Sequence, residues 1–399
     1  MQTARAVASE QIYLALSEAR RFPSRLLGVS AGTLVGLDEK RIGAMAWIWN
    51  RILPDAMRAE TTPSARIDRY LASKIEPDGP GLALAVVKAG AVVHAAGYGL
   101  AEIRGRPVTP DVIFQLASCG KQLTGLGIAM LAEEGKLNLD DPVAKHLPLL
   151  AAFGPRVTLR RLLHHTSGIR DLYDEDGVAE VLAGCERATN ADMIRAYVDL
   201  GCPMAEDGSR PGDGFCYSNS GYDLLGAVIE HVSGQSYHDF FQIRVFDRVG
   251  MKDTFSVPDP RMGDRRCATG YICDHRDAFV EHGGTGFDEV VGSGSFYTTV
   301  TDLCLYDRAL ATNSLLGEAG MRQIFTSGRT NDDAPTGYGF GWYLGIDQGV
   351  RFAEHEGEWS GFYSYIRRFL DRPLSIFLLS NHPDLDLFEI ASETTAAFD

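Results

Sequence analysis

The 399-residue chain has no run of 18 apolar residues, no cluster of Lys or Arg, and no Cys-x-x-Cys pair. The first absence excludes a membrane-spanning helix. The second, with a formal net charge of -15, excludes a nucleic-acid partner, because a polyanion is bound through a basic face that releases counterions. The seven cysteines, at 119, 185, 202, 216, 267, 273 and 304, are odd in number and signal neither a disulfide framework nor a zinc ribbon. They fit a reducing compartment. There is also no internal repeat, no His-x-His or His-x-x-x-His spacing, and no glycine-rich loop in a nucleotide-fold context, so no metal or cofactor is expected.

What remains is a globular composition, 45% hydrophobic and 23% charged, enough for one large domain or two smaller ones. Residues 1–62 read as an N-terminal extension of unknown role. Arg20 and Arg21 precede a short apolar run, faintly like an export signal, but Asp38, Glu39, Lys40 and Arg41 soon interrupt it. A cytoplasmic location is expected, with export as the alternative. Gly28-Val29-Ser30-Ala31-Gly32 matches a nucleophile elbow in letters alone, since the buried strand and alternating βα context that such an elbow needs are missing.

From residue 63 the pattern becomes ordered. Pro63 and Ser64 start a helix with Ile67, Tyr70, Leu71 and Ile75 on one face. "GLALAVVKAGAVVHAAGYG" reads as a β-hairpin, residues 118–134 as a helix closed by Gly135, and the stretch to about residue 290 as helices and long loops. Four β-rich runs follow, "GYGFGWYLG", "RFAEHEG", "SGFYSYIRRF" and "LSIFLLSN", and then a helical tail. Strands at both ends with helices between predict an α/β (α+β) fold: an antiparallel sheet flanked by helices, from 63–120 and 290–399, plus an all-helical lobe from 121–289.

The chemistry-bearing feature is Ser118 followed one turn later by Lys121 in an apolar stretch, the one Ser-x-x-Lys of the chain. A neutral lysine amine at that distance accepts the serine proton, provided that burial and neighbouring charges lower its pKa. Tyr217-Ser218-Asn219 is the one Tyr-x-Asn; a phenol relays a proton, and the Asn amide both donates to and accepts from a substrate amide. His355-Glu356-Gly357 lies on an expected strand, where Gly357 lets a substrate backbone approach and the Glu358 amide faces a developing oxyanion. The adjacent His164 and His165 point apart on a helix and are read as structural, satisfying backbone groups.

"FQLASCGKQ", "EEGKLNLDDPVAKHLP", "LLHHTSGI", "YSNSGYDLLGAVIEHVSGQSY", "VGMKDTF" and "HEGEWSGFYS" occur in this order. Together they resemble the serine β-lactamase and penicillin-binding-protein superfamily, especially its class C-like esterases, D-aminopeptidases and carboxypeptidases, over about residues 66 to 395. The resemblance implies Ser118 as acylated nucleophile and Lys121 and Tyr217 as base and proton relay. It also implies Asn219 as substrate anchor, and the amides of Ser118 and Glu358 as oxyanion hole. His355 stands where lactamases carry a lysine, and Glu356 where they carry a threonine. A permanent cation for a substrate carboxylate is therefore missing unless His355 is protonated or an arginine substitutes. The reading is a metal-independent hydrolase of small-molecule esters, amides or peptides, a carboxylesterase first. The alternatives are a D-stereospecific peptidase or amidase, a DD-carboxypeptidase, a weak β-lactamase, an acyltransferase, or, outside enzymes, a penicillin-recognising sensor or inactive scaffold that is acylated once or never.

Overall fold

The apolar runs at residues 82–88 and 374–380 lie side by side in the centre of a sheet, and this explains why neither shows a polar face. A computed structural model describes residues 62–399 apart from 206, 207 and 209. Among these residues the strands are β1 (Leu82–Lys88), β2 (Ala91–Tyr98), β3 (Phe114–Gln115), β4 (Phe255–Ser256), β5 (Tyr271–Cys273), β6 (Phe279–Glu281), β7 (Phe296–Thr298), β8 (Tyr343–Asp347), β9 (Val350–Trp359), β10 (Phe362–Phe369) and β11 (Leu374–Ser380). The main sheet has the order β2-β1-β11-β10-β9-β8, antiparallel throughout. Its N-terminal and C-terminal strands meet at the β1–β11 pair, where Leu84 lies opposite Leu378.

Because successive strand residues point to opposite faces, each central strand feeds two cores. Leu82, Leu84 and Val86 of β1 join Ile376 and Leu378 of β11 on one face, whereas Ala83, Ala85 and Val87 join Phe377 and Leu379 on the other. Six helices of ten residues or more are present among the described residues: α1 (Pro63–Ala72), α2 (Lys121–Glu133), α3 (Asn190–Asp199), α4 (Asn219–Ser233), α5 (Val300–Ala311) and α6 (Leu387–Phe398). The first face is covered by α1 and α6 through Ile67, Leu71, Ile390 and Phe398. The second belongs to the larger core, which runs through α5 into the helical lobe with α2, α3 and α4. Between β1 and β2, Ala89 and Gly90 both take positive φ, 53° and 77°, the two-residue turn whose twist matches a hairpin.

The expected antiparallel sheet, flanking helices and helical lobe are present. The expected partition was too clean, because β4, β5 and β6 fall inside residues 121–289 and α5 lies in the part assigned to the sheet. Strands of two or three residues are too short to show an alternation of period two. "GYGFGWYLG" is strand only from Tyr343, because Gly339 closes a tight turn with Trp342. The nucleophile-elbow match at residues 28–32 and the export-like segment lie outside the described residues.

Candidate active site

The chain leaves β3 at Gln115 and turns before α2 begins. Ala117 carries the turn with φ of +48°, a left-handed conformation that a side chain normally avoids, and a 3-10 turn over Ala117–Gly120 presents Ser118. Lys121 is the first residue of α2. That helix is buried nearly all round, from Lys121 to Leu131, so the lysine has no route to solvent.

Lys121 is fully buried, and its Nζ has three partners: Ser118 Oγ at 3.0 Å, Asn219 Oδ1 at 2.8 Å and the Ser293 carbonyl at 2.9 Å. Burial pulls the pKa of the amine down to about 7, opposed by the carboxylates of Asp223 and Asp171. In the neutral form the amine has two N–H groups and one lone pair. Asn219 Oδ1 and the Ser293 carbonyl can only accept, so they take the two N–H groups and leave the lone pair facing the one partner that can donate, Ser118 O–H.

Asn219 is held by the start of α4. Ser218 caps that helix by accepting from Gly221 N–H, while Asp171 accepts from the amides of Asn219 and Ser220 and from the Ser220 hydroxyl. Tyr217 precedes the cap. The Lys121 Nζ lies 4.9 Å from the centroid of its ring, and burial pushes its phenol well above the usual value, only partly offset by the Ser118 side chain. The phenol therefore stays protonated near neutrality, a donor or relay rather than a phenolate base. His165 packs 4.4 Å from the Tyr217 ring and accepts the Ser218 N–H at Nδ1, and His164 Nδ1 meets the Tyr338 carbonyl at 2.8 Å. Both histidines serve backbone groups, as expected of them.

β9 and β10 close the site from the sheet side. Ser364 donates to the Leu116 carbonyl at 2.6 Å, and a Cβ on Gly357 would lie 2.9 Å from Ser118 N and 2.8 Å from Leu116 O. Gly357 is thus required by the nucleophile turn, which presses on it directly. The same contact brings the Ser118 turn against the segment that carries the Glu358 amide. Cys119, beside the nucleophile, faces inward with its thiol against the His355 carbonyl, and burial raises its pKa to about 12.

His355 takes a different place from the one expected of a carboxylate-binding residue. It is 1% exposed, its Nδ1 meets the Glu356 carbonyl, and its Nε2 lies 2.9 Å from the Tyr338 hydroxyl. Since a carbonyl only accepts, Nδ1 carries the proton and Nε2 accepts from the phenol. Burial, and then Lys121, press its pKa to about 3. It is a neutral ring that supports Tyr217 and Tyr343, with centroids 6.1 and 5.1 Å away, and offers no charge to a substrate.

Several residues of the site were missed in the sequence. Asp223 lies one turn along α4 from Asn219, buried, accepting from Ser293 N–H and Tyr173 O–H at 3.0 Å each, and burial raises its pKa. An aspartate inside the apolar run "YDLLGAVI", four residues after Asn219, was the available signal. Asp171 and Tyr173 gave none, because their contacts come from chain folding. A pocket opens in front of Ser118, walled by Tyr173, Phe287 and Trp359 and edged by Asp288 and Glu358. Among the described residues no group of three or more His, Cys, Asp or Glu side chains is arranged to hold a metal ion, and no helix is long and apolar enough to cross a membrane.

Fold and site together define a class, the serine hydrolases of the β-lactamase and penicillin-binding-protein superfamily. The chain belongs to the Beta-lactamase family, whose model matches residues 65–396. It is 31% identical over 322 residues to penicillin-binding protein 4* of Bacillus subtilis (strain 168), covering 76% of this chain and 68% of that protein. It is 29% identical to protein flp of Staphylococcus aureus (strain NCTC 8325 / PS 47), covering 76% of this chain but 59% of flp. Among solved structures, the octameric penicillin-binding protein homologue from Pyrococcus abyssi superimposes with a TM-score of 0.72 at 28% identity, covering 84% of this chain and 76% of that one.

Proposed function

We propose that the chain hydrolyses small esters or amides through an acyl-enzyme on Ser118, with carboxylesterase activity foremost. The observation that carries this reading is the hydrogen-bond set of Lys121, which leaves a neutral amine's lone pair only Ser118 O–H to accept. Lys121 takes the hydroxyl proton as Oγ bonds to the carbonyl carbon. The amides of Ser118 and Glu358 hold the oxyanion. Collapse of the tetrahedral adduct breaks the bond to the leaving group, which receives the proton from Lys121 directly or through Tyr217. Water then gives a proton to the same base and attacks the acyl carbon; release of the acid returns that proton to Ser118 Oγ.

D-stereospecific amidase or peptidase activity uses the same steps. DD-carboxypeptidase and β-lactamase activities are less favoured, because such substrates present a carboxylate and His355 is neutral. The test counts p-nitrophenol released per protein molecule from p-nitrophenyl butyrate, with Ser118→Ala as control. Many equivalents, lost in the variant, are expected. A single equivalent would instead mark an acyl-trapping sensor, and release that persists in Ser118→Ala would overturn the assignment of the nucleophile.

A further inference from the structure

The sequence has no run of basic residues, yet folding gathers four arginines around one cavity. The cavity has a volume of about 400 Å³ and shares no lining residue with the pocket in front of Ser118. Arg156, Arg160, Arg161 and Arg329 line it, and Asp140 is its one acid among the described residues. In a chain of net charge -15 this is a local reversal of sign.

The four arginines are not equivalent. Arg160 grips Asp140 with two bonds, Nε to Oδ1 at 2.7 Å and Nη2 to Oδ2 at 3.0 Å, and Arg329 lies 3.2 Å from Asp333. Arg156 and Arg161 meet only neutral groups among the described residues. Arg156 Nη2 donates to the Pro211 carbonyl at 3.0 Å. Arg161 donates to that same carbonyl, to the Arg156 carbonyl at 3.4 Å and to Asn331 Oδ1 at 2.8 Å. Asp213 is reached through Asn331, whose Nδ2 donates to it at 3.0 Å. A guanidinium has five N–H groups, so both arginines keep some for a ligand. Burial, and then the charge of Arg156, lower the pKa of Arg161, with Asp213 opposing. An anion beside the pair relieves the repulsion.

The arrangement is fixed by the protein itself. Thr158 caps the short helix Leu159–Leu163 by accepting from Arg161 N–H. Asn331 N–H donates to the Gly212 carbonyl at 2.6 Å, and its Nδ2 to the Pro211 carbonyl at 3.1 Å. Gly212 has φ of +92°, and a Cβ there would lie 2.3 Å from Asn331 Oδ1 and 2.7 Å from Arg161 Nη2. Guanidiniums held in this way lose little freedom when a ligand arrives. Two charges without a carboxylate suit a dianion. Arginines from separate stretches of chain suit a tetrahedral oxyanion better than a planar carboxylate, whose two oxygens share one plane. The negative charge of the rest of the chain opposes an extended polyanion.

We infer that this cavity binds the phosphate group of a small phosphomonoester, or free phosphate, with Arg156 and Arg161 donating to its oxygens. The site is separate from Ser118 and does not depend on the hydrolase reading.

Calorimetric titration of the full chain with phenyl phosphate, inorganic phosphate and benzoate, in a buffer free of other phosphate and of sulfate, tests it. Phenyl phosphate is expected to bind saturably with a Kd below about 1 mM, and benzoate roughly tenfold more weakly or worse. Phenyl phosphate binding tighter than phosphate marks an ester as the ligand, and the reverse marks the free ion. Arg156 is exposed, so Arg156→Gln should keep the wild-type circular dichroism while weakening phenyl phosphate about tenfold. Ser118→Ala should leave the Kd unchanged. The inference is overturned by the absence of saturable binding up to about 10 mM phenyl phosphate, by benzoate binding as tightly, or by an unchanged Kd in Arg156→Gln. Binding lost in Ser118→Ala would put the anion in the catalytic pocket and overturn it equally.

Discussion

Lys121 and Asp223 face the same difficulty from opposite sides. Burial favours the neutral form of each, while the charge of each favours the ionised form of the other. If Lys121 is the base, kcat/KM should rise with pH through an inflection near 7, because acylation needs the amine unprotonated. Asp223→Asn tests the coupling. Asparagine keeps an oxygen to accept from Ser293 N–H but removes the carboxylate that stabilises the ammonium, so the inflection should move down, by about one pH unit. A pH profile of kcat/KM for both proteins checks this. An inflection that stays in place would mean that Asp223 is already protonated in the wild type, and an upward shift would contradict the assignment of Lys121 as base.

At the scale of elements, the site is a turn pinned between a strand and a helix start. β9 alternates, so His355 and Gly357 share its buried face while Glu356 and Glu358 point the other way. A Cβ at 357 would meet Ser364 Oγ at 2.4 Å, Leu116 O at 2.8 Å and Ser118 N at 2.9 Å, and two of those three are backbone atoms that cannot swing aside. Gly357→Ala should therefore cost about 1–3 kcal/mol of stability as an overpacked contact. By displacing the nucleophile turn it should also lower kcat on the order of a hundredfold. Denaturant titration beside steady-state kinetics separates the two effects; unchanged kcat would mean that the turn does not set the oxyanion geometry. This also shows what the sequence could reveal. Ser118, Lys121, Tyr217 and Asn219 were legible because their spacing along one turn or one helix start is local. The face on which His355 and Gly357 lie was not, because alternation groups residues by face without saying which face meets substrate. The hairpin, α1, α2 and the long C-terminal strands were legible from periodicity; β4, β5 and β6 were too short to leave a pattern.

Among the described residues, β9 meets the helical lobe along a seam lined with neutral histidines around Tyr338. His164 binds the Tyr338 carbonyl, His355 its hydroxyl, and His165 packs 4.6 Å from its ring. Burial lowers the pKa of His164 to about 4 and of His355 to about 3, and that of His165 well below its ordinary value. A group with a depressed folded pKa binds its proton in the unfolded chain first, so unfolding takes up protons as pH falls below about 6.5. Each such histidine then removes about 1.4 kcal/mol of stability per pH unit until its folded value is reached. Asp223 acts with the opposite sign, since its raised pKa lets the folded state hold a proton that the unfolded chain releases, and this offsets roughly one histidine. For these four groups together the expectation is a loss of about 3 kcal/mol per unit between pH 6 and pH 5, to which His94 and His382, both lowered by burial, add in the same direction and Asp302, raised by burial, in the opposite one. Urea unfolding at pH 7.5, 6.0 and 5.0 measures it. His355→Gln should flatten the dependence by about 1.4 kcal/mol per unit, at the cost of a lower plateau at neutral pH. Stability that is level from pH 7.5 to 5.0 would mean that the seam admits protons without opening. A parallel loss of stability and Ser118 labelling in that range would tie the seam to the support of Tyr217, because His165 and His355 both pack against its ring.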